Sequence, residues 1–219
     1  MSQHYVCEIN LENLLLHDIS NLVLEFMTLD ERKYVNGHWS KIQNACLFAA
    51  TKGFLDLLQW ARLNGCEWDS SVCSNAALYG HLEVLQWARL NGCEWDVFVC
   101  SNAALNGHLE VLQWARSNGC NWDSRVCSNA ALNGHLELLK WARSQGCKWD
   151  QRTCANAALN GYLRLLKWAR SSAADPSGGS QGCDWDAGTC AYTAENGHLE
   201  LLQWARSSAA DPSGGSQGL

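Results

Sequence analysis

No apolar run in the chain approaches the roughly 18 residues a membrane-spanning helix needs, so no membrane partner is expected. An excess of positive charge is missing too. Sixteen Lys and Arg stand against 22 Asp and Glu, a formal net charge of −6, which argues against nucleic acid bound on a broad basic face. The opening Met1-Ser2-Gln3-His4-Tyr5-Val6-Cys7-Glu8 lacks a basic stretch followed by an apolar one, and predicts no secretory export. There is no nucleophile–base–orienter set, no phosphate-binding glycine loop and no pair of acids suited to one pocket. The expectation is a non-enzyme with no catalytic residue and no cofactor. Proline is scarce: Pro176 and Pro212 are the only two, and both fall in one duplicated Ser/Gly-rich block.

What is present is distinctive. The hydrophobic fraction of 47% and charged fraction of 17% fit an ordered chain. Cysteine and tryptophan each occur twelve times. Many cysteines without a signal predict reduced thiols in the cytoplasm or nucleus. The sequence Asn-Gly-His-Leu-Glu-x-Leu-Gln/Lys-Trp-Ala-Arg-x-x-Gly-Cys-x-Trp-Asp returns at a fixed step. Its first tryptophan falls at Trp60, Trp87, Trp114, Trp141 and Trp168, 27 residues apart, and then at Trp204 after an insertion. Such a period predicts stacked units that bury their apolar faces only against neighbours.

One unit, residues 69–95, shows how. Asp69 is placed to cap a helix, and Ser70–Tyr79 forms a short helix with small residues on one face. Gly80 ends it, since glycine adopts the left-handed conformation past a helix C-terminus. A second helix runs from His81 to about Leu90, with Leu82, Val84, Leu85, Trp87 and Ala88 as an apolar stripe, and Gly92 stops it. Neither helix is stable alone in water, so the hairpins must stack.

This pattern resembles the ankyrin repeat. Asn-Gly-His-Leu-Glu at 106–110 and 133–137 matches the start of the second ankyrin helix, and Ala76-Ala77 and Ala103-Ala104 match the end of the first. The resemblance covers residues 43–206. The family's Thr-Pro-Leu-His stretch is replaced by Ser71-Val72-Cys73-Ser74 and its equivalents, and the unit is about six residues short of the usual period of about 33. The missing residues are those of the β-hairpin finger. The unit looks like the short Trp- and Cys-rich ankyrin-type repeats of algae, oomycetes and giant viruses. The implied fold is all-α, an ankyrin-like helical-hairpin solenoid of six short repeats with little or no β-hairpin. The implied function is a scaffold that binds a partner protein through its rim and concave face.

Residues 1–42 do not follow the repeat. Leu11, Leu14, Leu15, Ile19, Leu22, Val23 and Phe26 are spaced for an amphipathic helix, a helical N-terminal cap on the apolar end of the stack. The segment is also similar to an F-box, which docks a substrate receptor onto a cullin-type ubiquitin ligase through an adaptor. The opening Leu-Pro of that family is absent, and the span from Phe26 to Trp39 is short by a turn or more. Residues 172–180 are expected to form a flexible insertion, within a block 168–182 repeated residue for residue as 204–218. Residues 207–219 are expected to be a disordered tail. Lacking a polar capping repeat, the last unit is expected to leave the face of Leu199 and Leu202 exposed, frayed or used for association.

The cysteines form two ladders: Cys66, Cys93, Cys120, Cys147 and Cys183 before each Trp-Asp, and Cys46, Cys73, Cys100, Cys127, Cys154 and Cys190 in the first helices. A metal or redox reading would join Cys66 and Cys73 to His81. No Cys-x-x-Cys pair exists, so core packing is the expected role, with no metal. Disulfides between successive rungs of one ladder are not expected, because equivalent atoms of stacked helices lie about 8–10 Å apart. His81, His108, His135 and His198 share their position with Phe54 and Tyr162, so they are structural, bonding to backbone near the inter-helix turn. The tryptophans before Asp69, Asp96, Asp123, Asp150 and Asp186 could offer an exposed aromatic ladder to a peptide or sugar, but are expected to cover the shortened turn. The residues after each Trp-Asp vary: Val97-Phe98, Ser124-Arg125, Gln151-Arg152. A constant framework with a changing rim is what a modular binding surface requires, and these six residues are the candidate contacts.

Overall fold

The computed structural model describes residues 45–63, 65–171 and 187–209, which form twelve helices and, among the described residues, no strand. Six first helices alternate with six second helices. The first row is α1 (Ala45–Lys52), α3 (Ser70–Leu78), α5 (Val97–Leu105), α7 (Arg125–Leu132), α9 (Gln151–Leu159) and α11 (Ala187–Glu195). The second row is α2 (Leu55–Leu63), α4 (Leu82–Leu90), α6 (Leu109–Ser117), α8 (Leu136–Ser144), α10 (Leu163–Ala169) and α12 (Leu199–Ala209). No helix among the described residues is long and apolar enough to cross a membrane.

Local signals set each boundary. Asp69, Asp96 and Asp150 cap α3, α5 and α9, each carboxylate accepting the N–H of the residue two further on. Asp123 accepts the Arg125 N–H at 2.9 Å in the same way, although α7 begins one residue later than its relatives. Such a cap satisfies an orphan donor and places a negative charge at the positive end of the helix. At the other end, Gly80 takes φ +79°, with His81 N–H donating to Ala76 O at 2.8 Å and Gly80 N–H to Ala77 O at 3.3 Å. That pattern closes the last carbonyls and turns the chain into α4.

Side-chain size explains the stack. The first helices pack against one another more extensively than the second helices do. Their facing residues are small: Ala76, Ala77, Ala103, Ala104, Ala130 and Ala131 are fully buried. The second helices contribute Leu58, Leu85, Leu112, Leu139 and Leu166, also fully buried. One core runs continuously through every layer, and contacts fall between successive units, as a solenoid requires.

The proposed cap and F-box-like segment, residues 1–42, and the insertion, residues 172–180, lie outside the described residues. The last helix runs to Ala209, so residues 207–209 are helical where the sequence suggested that the tail begins; the remainder lies outside the described residues. Leu199 is 65% exposed and Leu202 half-buried.

Candidate functional site

The repeated Asn-Gly-His is a joint between units. The Nε2 atoms of His108 and His135 lie 3.1 Å from the carbonyls of Leu78 and Leu105, each 30 residues earlier in the chain. His81 and His198 reach Thr51 O and Leu159 O likewise. Each ring lies over the glycine of the preceding unit: a Cβ on Gly80 would meet the His108 ring at 2.6 Å, and one on Gly107 the His135 ring at 2.6 Å. Asn106 and Asn133 add bonds of 2.7 and 2.6 Å to the same two carbonyls. In the first-helix row, Asn102, Asn129 and Asn156 donate to Ser74 O, Ser101 O and Ser128 O of the unit before. Burial holds the His108 ring below its ordinary imidazole pKa, against the opposing effect of its bond to Leu78 O.

The opposite corner explains the tryptophans. Arg89 Nη1 donates to Cys93 O at 2.6 Å, and its guanidinium lies 4.2 Å from the Trp95 ring centroid. Trp95 in turn meets Trp114 of the next second helix edge-on, with centroids 5.8 Å apart and planes at 70°. Arg62/Trp68/Trp87, Arg116/Trp122/Trp141 and Arg143/Trp149/Trp168 repeat the arrangement. The indoles are half-buried against the core, forming a wall for the turn rather than an open aromatic ladder.

The six rim residues lie at the starts of α5, α7 and α9. Phe98 is 48% exposed, and the Arg125 guanidinium sits 4.6 Å from its ring centroid. Arg125 Nη2 is 2.8 Å from Asp123 Oδ2, and Arg152 Nη2 is 2.6 Å from Asp150 Oδ2. Arg152 also donates to Ser124 Oγ at 3.2 Å, and Ser124 donates to Asp150 at 2.9 Å. The structure therefore brings Phe98, Arg125, Ser124 and Arg152 into one strip across three units. Val97 is half-buried at the start of α5, and Gln151 is exposed. Hydrogen bonds from Arg125 hold the Asp123 carboxyl below its usual pKa. Burial raises Asp150, but bonds from Arg152 and Ser124 and the guanidinium charge bring it below the usual carboxylate value. Pairs this exposed contribute only about 0.2–1 kcal/mol to stability, so their role is orientation of the guanidinium planes.

Sequence reasoning missed a second surface. An open depression of about 870 Å³ runs along the starts of the second helices, lined by Leu109, Leu136, Leu163, Glu137, Arg164 and Glu200 among others. The available signal was the third residue after each turn glycine: acidic in Glu83, Glu110, Glu137 and Glu200, but basic in Arg164.

The cysteines correct one expectation. Cys154 is disulfide-bonded, where the sequence suggests a reduced thiol. Cys46, Cys66, Cys73, Cys93, Cys100, Cys120, Cys127 and Cys147 are buried thiols outside any disulfide. The contacts do not follow the Cys66–Cys73–His81 grouping. Cys73 instead meets Cys93, because the strand of chain leaving the second helix folds back over the first helix of its own hairpin. No group of three or more potential metal ligands occurs among the described residues.

No family model matches the sequence, and no curated protein matches it. Among solved structures, the chain is similar to the human ASB11 ankyrin repeat domain. The match has 15% identity and a TM-score of 0.55, and spans 74% of this chain and 82% of that one. At that identity the likeness speaks for the fold alone. Stacked hairpins, left-handed glycine turns and capped first helices together give this chain the ankyrin-repeat fold, in a short form that dispenses with strand fingers among its described residues.

Proposed function

We propose that the protein is a non-catalytic interaction scaffold that binds a partner protein along the rim formed by Val97, Phe98, Ser124, Arg125, Gln151 and Arg152. The ankyrin-repeat fold is typically a binding scaffold, and its layers offer one set of variable positions per unit. The observation that carries the reading is the continuity of the strip. An exposed aromatic ring is covered on one face by the guanidinium of the next unit, and that unit's serine is bonded to the arginine of the one after. Aromatic and Arg side chains held in fixed geometry are the groups that dominate binding hot spots. A combined Phe98→Ala, Arg125→Ala, Arg152→Ala variant tests it. Affinity purification should lose the partner recovered by the unsubstituted chain, with helicity unchanged; the same partner captured by both would place the contact elsewhere.

A second reading makes the chain a substrate receptor recruited to a cullin-type ubiquitin ligase, supported by the leucine spacing of residues 11–26. Its test is capture of the folded full chain by a purified cullin adaptor subunit. Failure to bind at micromolar concentration removes this reading and leaves the first untouched.

A further inference from the structure

The two cysteine ladders are not independent. The thiol of Cys46 lies 3.9 Å from Cys66 O, that of Cys73 is 3.9 Å from Cys93 O, and that of Cys127 is 4.0 Å from Cys147 O. The thiol of Cys100 occupies the same position in the third unit, and in all four pairs the first-helix thiol interacts with the thiol of its partner. Every pair joins a first helix to the chain that leaves the second helix of the same hairpin, always 20 residues apart. The equivalent first-helix cysteine in the fifth unit, Cys154, is already disulfide-bonded. Its helix α9 keeps the same length as α3 and α5, and Ala157 and Ala158 remain fully buried. A disulfide at this position is therefore compatible with the stack.

We propose that Cys46/Cys66, Cys73/Cys93, Cys100/Cys120 and Cys127/Cys147 are oxidation sites, each closed by a small-molecule disulfide into a bridge that staples its own hairpin. In the first step one protein thiolate attacks the oxidant's S–S bond, forming a mixed disulfide and releasing one small thiol. The second cysteine, giving up its proton to solvent, attacks the protein sulfur of that mixed disulfide. The Cys–Cys bond forms and the second small thiol leaves. Two protein thiols are oxidised, and the oxidant disulfide is reduced to two thiols.

The two partners are not equivalent. Interaction with the Cys73 thiol, aided by the nearby Arg89, whose guanidinium is bonded to the Cys93 carbonyl, holds the Cys93 thiol below its ordinary pKa. Cys73 is pushed up by that same interaction and by burial. Thiolate is the attacking form, so Cys93 and its equivalents Cys120 and Cys147 make the first attack. Access sets the order among pairs. Cys66 is 7% exposed, against 0% for Cys93 and Cys147 and 1% for Cys120, so the Cys46/Cys66 bridge forms first.

The test uses the fully reduced, full-length chain with oxidised glutathione at neutral pH. One arm is in native buffer, and a second contains urea below the unfolding midpoint so that every pair opens transiently. Alkylation then quenches the reaction, and peptides are mapped without reduction. The expected products are cross-linked peptides for the four pairs, each lighter by two hydrogens, with Cys46–Cys66 earliest and a raised unfolding temperature for the bridged protein. A Cys73→Ala, Cys93→Ala variant should lack only its own bridge; if that variant fails to fold, mapping of the unsubstituted chain still decides. Stable glutathione adducts without bridges, links between rungs of one ladder, links between copies, or no bridges in either arm would overturn the proposal.

Discussion

The fourth and fifth units share one register yet are joined to their predecessors differently. In the fourth, the His135 ring lies over Gly107 and its Nε2 shares the Leu105 carbonyl with Asn133. In the fifth, the Tyr162 ring takes the same place over Gly134, and the Leu132 carbonyl receives Asn160 at 3.0 Å. The fifth unit also carries Thr153 where the second, third and fourth have Val72, Val99 and Val126, and Arg164 where the fourth has Glu137. Packing at the joint is thus kept while one polar link changes. A flat ring over a bare glycine is what the stack demands; imidazole adds a hydrogen bond to it.

The largest effect comes from filling the space under the ring. Gly134 and Gly146 both have positive φ, +74° and +78°, but a Cβ on Gly134 would meet the Tyr162 ring at 2.7 Å, while one on Gly146 would meet nothing within 4 Å. Gly146→Ala should therefore cost about 1–2 kcal/mol for the left-handed backbone alone. Gly134→Ala should cost more, up to about 3 kcal/mol, in urea unfolding. Equal costs would mean that the ring contact carries no weight.

Thr153 comes next. Its hydroxyl is fully buried and finds no hydrogen-bond partner among the described residues. Thr153→Val installs the side chain of the second, third and fourth units and removes a desolvated polar group, so it should stabilise by about 1–2 kcal/mol, raising the unfolding midpoint.

Smaller still is the difference in pH response. His108 has its folded pKa below the unfolded one, so its neutral form favours folding. That contribution is present above the unfolded value near 6.5 and is lost as pH falls through the lower folded value. His108→Tyr, which copies the fifth unit, should flatten the decline in stability on acidification in that window. It should also cost about 0.5–1.5 kcal/mol at neutral pH for the lost bond to Leu78 O. Unfolding midpoints measured at a series of pH values check both.

Much of this architecture was legible in the sequence. The capping aspartates, the glycine stops and the apolar stripe are local signals, and local signals fix short helices and their turns. The joint was only half legible. A constant histidine beside a turn suggested a backbone bond, but nothing in the spacing tells that the acceptor lies 30 residues back, in the unit before. The cysteine ladders suggest only buried filling. Their cross-pairing escaped because it depends on how the chain leaving the second helix folds over the first, which is set by tertiary packing. At the rim, variation picks out the starts of α5, α7 and α9, but Ser124 is bonded to both Arg152 and Asp150 and so belongs partly to the framework.

The nearest-neighbour joint is tested most directly by two double-mutant cycles at Gly107. One pairs Gly107→Ala with His135→Ala, whose ring lies over it; the other pairs it with His198→Ala, whose ring lies over Gly161. A coupling of at least about 0.5 kcal/mol is expected in the first, and none beyond about 0.3–0.5 kcal/mol in the second. Equal coupling in both cycles, or none in the first, would contradict a stack held together layer by layer.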